Sequence, residues 1–244
     1  MPPRASDDER GQRQSRAVDQ DRQRWLSRRA EQVIKHYLAD HRDEMLQRKV
    51  ASGAVSVAEA YQLLKDLARD PKTGVQRSDL LRYALEFELA EARTHGHPIS
   101  LAVFDIDHFK KINDELGHLG ADEVLRQVAA TIRQAIRLSD DLWEVVADEA
   151  VVRWGGEEFV VIFARTDVAA ASVAAERIRQ RIRQLPKVRP SGRLVTVSGG
   201  LTSVSPGSIM TWQQLLAAAD AELNRAKAAG RDRICLTSPT PAVY

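Results

Sequence analysis

Cysteine is nearly absent from this chain of 244 residues, which contains only Cys235. A single cysteine excludes an internal disulfide framework and is compatible with a reducing compartment. Long apolar runs are also missing, since no stretch approaches the roughly 20 consecutive apolar residues that a membrane-spanning helix needs. The first 16 residues are polar and charged, so they lack the apolar core of a secretion signal. We therefore expect a cytoplasmic protein without a membrane span.

A strong net charge is missing as well, because 36 Lys and Arg residues nearly balance 34 Asp and Glu residues. The formal net charge of +2 provides no broad positive field for a nucleic acid or an anionic membrane. We therefore expect no nucleic-acid partner, and any nucleotide must bind at a local site. With 43% hydrophobic and 29% charged residues, the composition is that of a globular protein with a sizeable core.

The N-terminal quarter of the chain has helical patterns. Residues 1–16 carry Pro, Gly and many charges without an apolar period, so we expect a disordered tail. Residues 17–69 show an amphipathic helical period that the sequence ASGAVS interrupts. After this interruption, Ser56 and Glu59 have the spacing of a capping box, which predicts the start of a second helix. That helix should end near Asp70, because a residue before proline is disfavoured in helical geometry.

The apolar stripe of these helices is narrow, which leaves two alternatives open. One is a helical face that packs on its own domain. The other, which we favour, is a coiled-coil stalk that pairs with a second chain, because a thin stripe covers little intramolecular core. The stripe of the first helix consists of Trp25, Leu26, Val33, Ile34, Tyr37, Leu38, Met45 and Leu46.

The remaining chain alternates between helical and strand patterns, as an α/β domain does. We place this domain at residues 70–238, followed by a short tail at 239–244. Its clearest strand is the apolar run ISLAVFDI at residues 99–106. Further helices are predicted at 78–95, at 110–137 with a break at Gly117 and His118, at 167–184 and at 211–230. Further strands are predicted within 151–163, 193–204 and 231–237.

Two carboxylates, Asp105 and Asp107, stand at the end of this apolar strand and directly before a helix. Burial of an unpaired carboxylate costs roughly several kcal/mol, so each needs a partner. Helix capping would account for Asp107. Asp105 lies too deep in the strand for capping, and a bound cation explains it better. Mg²⁺ takes one or two protein carboxylates and fills its other positions with water and phosphate oxygens.

An acidic turn would complete such a cation site. The sequence VVRWGGEEFVVIF places Glu157 and Glu158 in a turn between two predicted strands. Backbone N–H groups at the start of the next helix, near Phe109 and Lys110, would face the phosphates of a nucleotide. Strand-end acids, an acidic turn and a helix N-terminus together indicate metal-assisted phosphoryl or nucleotidyl transfer.

Four separated motifs resemble those of GGDEF-domain diguanylate cyclases. They are DPKTG, DIDHFKKINDELGHLGADEVL, RWGGEEF and AKAAGRDRI. The resemblance implies a nucleotidyl-cyclase or palm-like α+β fold, with a mainly antiparallel central sheet flanked by helices. It also implies a homodimer in which two GTP molecules condense to cyclic di-GMP and two pyrophosphates, with Mg²⁺ or Mn²⁺ as cofactor.

The same resemblance assigns the metal and catalytic positions. It implies that the metal is bound by Asp105, by Glu157 and by the backbone carbonyl of Ile106. We expect Glu157 to face Asp105 across neighbouring strands. Glu158 belongs to the same catalytic motif, with a less defined role.

The substrate positions also follow from the resemblance. Asn113 and Asp122 are implied to hydrogen-bond the guanine edge. An aspartate accepts from both N1–H and the exocyclic amine, which favours GTP over ATP. Lys227 and Arg231, which we expect one helical turn apart, are implied to hold the terminal phosphates. The other implied substrate-binding residues are Phe109, Lys110, Gly155 and Gly156, and at the two glycines any side chain would obstruct the nucleotide.

The sequence departs from the family pattern without losing a catalytic group. Lys72 and Val75 replace the two leucines that are usual in the first motif. Ala121 replaces the usual glycine before the guanine-binding aspartate.

A larger departure concerns product inhibition. The possible inhibition site comprises Arg137, Asp140 and Arg177, but residues 141–149 look like an insertion after Asp140. Either this segment loops out and the site keeps its usual place, which we favour, or feedback inhibition is lost.

These observations predict a diguanylate cyclase whose N-terminal stalk is controlled by a separate regulatory protein. The first alternative is a catalytically silent GGDEF domain that acts as a GTP or cyclic di-GMP receptor. The second is a cyclase that makes a mixed purine dinucleotide. Intact Asp105, Glu157 and Asn113 disfavour the first alternative, and Asp122 disfavours both.

Overall fold

The structure is a computed structural model that describes residues 7–41, 44–137, 150–188 and 190–237. Its chain contacts divide it into two units, Met1–Leu64 and Lys65–Tyr244. The described part of the first unit is helical. It contains helix α1 (Asp7–His41), helix α2 (Glu44–Ala51) and most of helix α3 (Val57–Leu67). None of the described helices combines the length and the apolar character that crossing a bilayer requires.

Helix α1 begins earlier than the sequence pattern predicted. The expected disordered tail over residues 1–16 is wrong for residues 7–16, which are helical, whereas residues 1–6 lie outside the described part. The segment 7–16 contains three Arg and two Gln residues, which favour helix through low side-chain entropy cost even without an apolar period.

Part of the apolar stripe is covered within the single chain, whereas Leu26 and Tyr37 are half-buried and the side chains of Met45 and Leu46 lie outside the described residues. Trp25, Val33, Ile34 and Leu38 are all buried. For these four residues, burial favours intramolecular packing over the predicted pairing with a second chain, because buried side chains offer little apolar surface to a partner. Pairing of the helices between two chains stays a prediction.

The predicted capping box at the start of α3 is confirmed. The Ser56 hydroxyl accepts a hydrogen bond from the Glu59 backbone N–H at 3.2 Å, and a Glu59 carboxylate oxygen accepts from the Ser56 N–H at 2.8 Å. Two otherwise unpaired backbone donors are thus satisfied at the helix start. The helix ends at Leu67, shortly before Asp70.

The second unit is built on one mainly antiparallel sheet. Its described strands are β1 (Gln76–Arg77), β2 (Ile99–Ile106), β3 (Val151–Arg153), β4 (Glu158–Ala164), β5 (Val197–Val204) and β6 (Ile234–Leu236). The strand order is β1-β3-β4-β2-β5-β6. Strand β2 pairs antiparallel with β4 and β5, and β3 pairs antiparallel with β4. Only the outer pairs, β1 with β3 and β5 with β6, are parallel among the described strands. The predicted fold class is therefore confirmed.

Helices cover both faces of this sheet. They are α4 (Leu81–His95), which follows a 3₁₀ turn at Ser78–Leu80, α5 (Phe109–Arg137), α6 (Val168–Ile182) and α7 (Trp212–Ala228). The predicted break in α5 is present at Gly117, where φ is 68° and ψ is 174°. Glycine adopts this left-handed φ without steric cost.

All eight residues of β2 are buried, and they alternate between two apolar clusters. Ala102, Phe104 and Ile106 pack in the cluster that contains residues of α5 and α6. The intervening Leu101 and Val103 pack in the cluster that contains residues of α4 and α7. A strand covered on both faces must be apolar throughout. The carboxylate at its end therefore needs a specific partner.

Candidate active site at the end of the central strand

The sheet register places two carboxylates opposite each other at the end of β2. Asp105 pairs with Glu158 of β4 on one side and with Ser198 of β5 on the other. The expectation that Glu157 faces Asp105 is corrected by one residue. Glu157 precedes β4, and its backbone carbonyl accepts a hydrogen bond from Ile106 N–H at 3.3 Å. Successive side chains of a strand point to opposite faces of the sheet, so a shift of one residue changes which glutamate is the strand partner of Asp105.

Lys227 supplies the positive charge that lies closest to Asp105 in this cluster. Its Nζ lies 2.8 Å from Asp105 Oδ2. Burial raises the pKa of Asp105, and the charges of Lys227 and Arg231 offset this only in part. Burial, followed by the charge of Asp105, also raises the pKa values of Glu157 and Glu158. Three acidic groups are thus held together against their mutual repulsion, which a further cation would relieve.

Asp107 has a structural environment that differs from the predicted helix cap. Its carboxylate is buried and accepts from the hydroxyls of Ser198 and Thr196, each at 2.7 Å, and from the Asp232 backbone N–H at 3.1 Å. These donors satisfy the carboxylate without a cation and tie β2 to β5 and to the segment before β6. The capping prediction is therefore wrong, because the donors come from distant segments rather than from the next helix.

The turn between β3 and β4 is closed by its backbone. Trp154 N–H and Gly155 N–H donate to the Glu158 carbonyl at 2.9 and 3.4 Å. A Cβ on Gly155 would lie 2.5 Å from Glu158 Oε2, so this glycine leaves space for that carboxylate. A Cβ on Gly156 would meet no atom within 4 Å among the residues that the structure describes. The backbone of Gly156 is therefore open to an approaching molecule.

An ion pair that sequence reasoning missed holds this turn in place. Arg153 donates to both carboxylate oxygens of Asp70 at 2.9 and 3.1 Å, and it also donates to the Gly156 carbonyl at 2.6 Å. Asp70 additionally accepts from the N–H and the hydroxyl of Thr73 at 2.9 and 2.7 Å. The spacing of Asp70 and Thr73 is a usable turn signal. The pairing of Asp70 with Arg153, which lies 83 residues away, has no signal in the neighbouring sequence.

We expect the Asp70→Asn variant to lower the free energy of unfolding by about 2 kcal/mol or more, because Arg153 would lose its buried counter-ion. Burial opposes ionisation of Asp70, but the bonds from Thr73 and Arg153 outweigh it and lower its pKa. A lowered pKa in the folded state stabilises the protein above the unfolded value of about 3.9, and this contribution is lost as the pH falls.

Denaturation of both proteins across pH 3 to 7 checks this prediction. The difference in stability should be constant above about pH 5 and should shrink below about pH 4. Asp79→Asn is the matched control, because Asp79 pairs with Arg77 on the exposed surface and such pairs contribute little. Equal stability losses in the two variants would contradict the prediction.

The residues expected at the guanine lie along α5. Asn113 is half-buried in the second turn of this helix, and Asp122 follows the break at Gly117. Asp122 is already paired with Lys72, whose Nζ lies 2.8 Å from its Oδ1. At the helix start, Phe109 packs partly against the core, whereas Lys110 is exposed.

The expected one-turn spacing of Lys227 and Arg231 is wrong. Helix α7 ends at Ala228, and Gly230 and Arg231 both have positive φ, 108° and 65°. Arg231 therefore lies beyond the helix end, although its charge still acts on Asp105. The physical reason is the glycine, which permits the left-handed turn that ends the helix.

The possible inhibition site is described only in part. Asp140, the inserted residues 141–149 and the side chain of Arg137 lie outside the described residues. Arg177 on α6 is half-buried, and its Nε and one Nη are buried without a hydrogen-bond partner in the described part of the chain. The product-inhibition site stays a prediction.

Comparison with known proteins gives consistent matches. A family model described as "Diguanylate cyclase, GGDEF domain" matches residues 67–233. The diguanylate cyclase DgcP of Pseudomonas aeruginosa is 38% identical over 168 residues, which are 68% of this chain and 23% of DgcP. The chain therefore spans less than a quarter of the length of this curated relative.

Two solved structures resemble larger parts of the chain. The coiled coil and GGDEF domain of DgcB from Caulobacter crescentus, in complex with c-di-GMP, has a TM-score of 0.61 at 28% identity. This similarity covers 84% of the present chain and 100% of that one. The diguanylate cyclase SiaD of Pseudomonas aeruginosa, in complex with its activator SiaC, has a TM-score of 0.60 at 30% identity. It covers 93% of the present chain and 84% of SiaD.

The family match extends over more than half of the 244 residues and contains the acidic turn, the end of β2 and helix α5. The mainly antiparallel sheet flanked by helices agrees with it, as do the solved relatives. The chain therefore belongs to the GGDEF-domain family of diguanylate cyclases.

Proposed function

We propose that this chain is a diguanylate cyclase that condenses two GTP molecules into cyclic di-GMP and two pyrophosphates. The observation that carries the proposal is the convergence of Asp105, Glu157, Glu158 and Lys227 at the end of β2 in a chain of this family. The relative DgcP is named a diguanylate cyclase, and the DgcB structure contains c-di-GMP. An intact acidic cluster disfavours a silent receptor, because such a cluster is costly to retain without a cation.

The residues present fit Mg²⁺ or Mn²⁺. In the described part of the chain, no three His, Cys, Asp or Glu side chains are grouped to hold a metal ion by themselves. The proposed ligands are Asp105, Glu157 and the Ile106 carbonyl, a small set of hard oxygen donors that leaves positions for phosphate oxygens, as Mg²⁺ requires. When bound, the metal would polarise the α-phosphate and neutralise the charge that develops on it.

The residues of the chain position the substrate around this centre. Asp122 and Asn113 bind the guanine edge, which favours GTP over ATP. Lys227 and Arg231 supply positive charge next to Asp105 and attract the terminal phosphates. The space beside Gly156 lets the nucleotide approach the turn backbone. Orientation of this kind accelerates a displacement reaction without covalent catalysis by the protein.

The chemistry requires two chains. The 3′-hydroxyl of one GTP attacks the α-phosphate of the other, a new 3′-oxygen–phosphorus bond forms, and the bond to pyrophosphate breaks. In the second step the nucleotides exchange roles. The 3′-hydroxyl of the second nucleotide attacks the α-phosphate of the first, which releases the second pyrophosphate and closes the ring. Each chain provides one GTP site, so a homodimer brings the two half-sites together.

The N-terminal helices are the proposed regulatory segment. In the predicted division of the chain, this segment is residues 17–69 and the catalytic domain is residues 70–238. The solved relatives that cover this segment are described with a coiled coil in DgcB and with the activator SiaC in SiaD. A protein partner of these helices would change activity by altering how often two catalytic domains meet.

The test is to incubate the purified chain with GTP, ATP and Mg²⁺ and to identify the products by mass spectrometry. We expect cyclic di-GMP and pyrophosphate, with a specific activity that rises with chain concentration because two chains form the product. A mixed dinucleotide would support the second alternative from the sequence. Bound GTP without any dinucleotide, at every chain concentration, would refute the cyclase and favour the receptor.

A further inference from the structure

An ion pair joins Lys72 to Asp122, one of the two residues proposed to bind the guanine edge. Lys72 Nζ donates to Asp122 Oδ1 at 2.8 Å across 50 residues of chain. The Lys72 side chain is 51% exposed and that of Asp122 is 21% exposed. Pairs with this degree of exposure contribute little to folding stability. Lys72 also stands where the GGDEF signature usually has leucine. A leucine at this position could not form the ion pair, so the pair is not a feature of the usual signature.

The backbone around Lys72 is held in a well-bonded turn. Asp70 N–H donates to the Val75 carbonyl, and Gly74 N–H donates to the Asp70 carbonyl, each at 2.8 Å. Arg69 additionally donates to the Gly74 carbonyl at 2.9 Å. Since the turn fixes the backbone, Lys72 reaches Asp122 from a defined position. This differs from a surface lysine on a loose loop, which would lose more entropy on pairing.

The guanine edge presents three groups in a row, the O6 acceptor and the N1–H and N2–H donors. A carboxylate that accepts from N1–H and N2–H brings one of its oxygens close to O6, and two acceptors in proximity repel each other. A cation between them removes this repulsion. The Lys72 ammonium has three N–H donors, and the bond to Asp122 uses one of them.

We propose that Lys72 is a specificity-determining residue that donates to O6 of the guanine while it stays paired with Asp122. The proposal rests on the proposed function, since it assumes that Asp122 accepts from the guanine. Adenine has an amino group instead of O6, and the ammonium has no acceptor to offer it. Lys72 and Asp122 together therefore distinguish guanine from adenine at all three positions of the edge.

The test measures binding rather than turnover. Equilibrium binding of GDP and of 6-thio-GDP, in the presence of Mg²⁺, is compared between the full chain and its Lys72→Met variant. The thio analogue keeps both donors and replaces O6 by sulfur, a weak acceptor. Methionine keeps most of the side-chain length and removes the charge. We expect the variant to bind GDP roughly tenfold more weakly, as the loss of a charge-assisted hydrogen bond predicts, with 6-thio-GDP changed much less.

Lys187→Met is the matched control. It makes the same substitution at an exposed lysine outside the site. It should leave both affinities unchanged, and circular dichroism should show that both variants fold. Unchanged GDP binding in Lys72→Met would reduce the pair to a surface contact and overturn the proposal. Tighter GDP binding would show that Lys72 competes for Asp122, and an equal loss for both nucleotides would indicate a general charge effect. Either result also overturns it.

Binding and turnover separate this proposal from the cyclase itself. A chain that binds GDP with the expected dependence on Lys72 but makes no cyclic di-GMP would retain the inference and lose the proposed function. A chain that makes cyclic di-GMP but shows no effect of Lys72→Met would lose only the inference. No GDP binding by the unaltered chain would overturn the role of Lys72 directly.

Discussion

Replacement of Glu157 by glutamine should lower cyclase turnover by a factor on the order of a thousand, because a charge that acts on the reacting phosphate would be lost. Glutamine keeps the size of the side chain and removes its negative charge. Glu157 lies in the turn next to Ile106 and carries a raised pKa, caused first by burial and then by the charge of Asp105. Initial rates of pyrophosphate release from GTP measure the loss.

Thermal denaturation of the same variant provides an independent readout. An acid whose pKa is raised in the folded state destabilises that state at any pH at which it is ionised. Glu157→Gln removes this repulsion, so at pH 7 the variant should melt at the same temperature as the unaltered chain or at a higher one. A variant that is inactive because it is unfolded would instead melt lower.

Glu86→Gln is the matched control for this experiment. Glu86 pairs with Arg82 on α4 at 2.8 Å and is unconnected with the acidic cluster, so turnover should stay within about twofold of the original, as expected for a surface ion pair. Retained turnover in Glu157→Gln would refute the metal-binding role of this residue.

Gly200→Ala should reduce the free energy of unfolding by about 3 kcal/mol or more, the upper range for overpacking a core. Gly200 lies in β5 against α7. A Cβ there would lie under 3.0 Å from the Ala219 carbonyl oxygen and from the Leu223 backbone nitrogen. Backbone atoms of a packed helix cannot rotate away as a side chain does. The helix would therefore have to move off the sheet and expose its buried leucines.

The neighbouring glycine provides the control for Gly200. A Cβ on Gly199 would meet the end of the Ile234 side chain at 2.6 Å and the Phe104 ring at 3.2 Å. A flexible side-chain end moves at low cost, so Gly199→Ala should destabilise the protein much less. Urea denaturation followed by circular dichroism compares the two variants. Equal stability of both would contradict the argument from backbone contact.

Local patterns in the sequence were sufficient for most elements of the fold. The apolar run at residues 99–106 predicted the central strand with its observed bounds. The capping box at Ser56 and the break at Gly117 were also predicted, because each depends on a few neighbouring residues. The predicted disorder is wrong for residues 7–16, which are helical. Their intrinsic helix propensity favours helix even though they lack an apolar period.

The acidic cluster was predicted in composition but not in arrangement. Residue types and motif order pointed to Asp105 and to the acidic turn. The register that pairs Asp105 with Glu158 depends on how β2 and β4 align over seven residue pairs, which no short motif encodes. The capping prediction for Asp107 is wrong for a related reason, since its hydroxyl donors lie directly before and within β5, 89 and 91 residues along the chain.

The sequence by itself determined which elements form and which side chains are available for chemistry, because periodicity, caps and turn residues act over short distances. Only the tertiary structure decided which of these side chains meet. It joined Arg153 to Asp70, Lys227 to Asp105 and Lys72 to Asp122. The physical reason is that such pairs depend on strand register and helix packing, which arise from the sum of many weak contacts across the whole core.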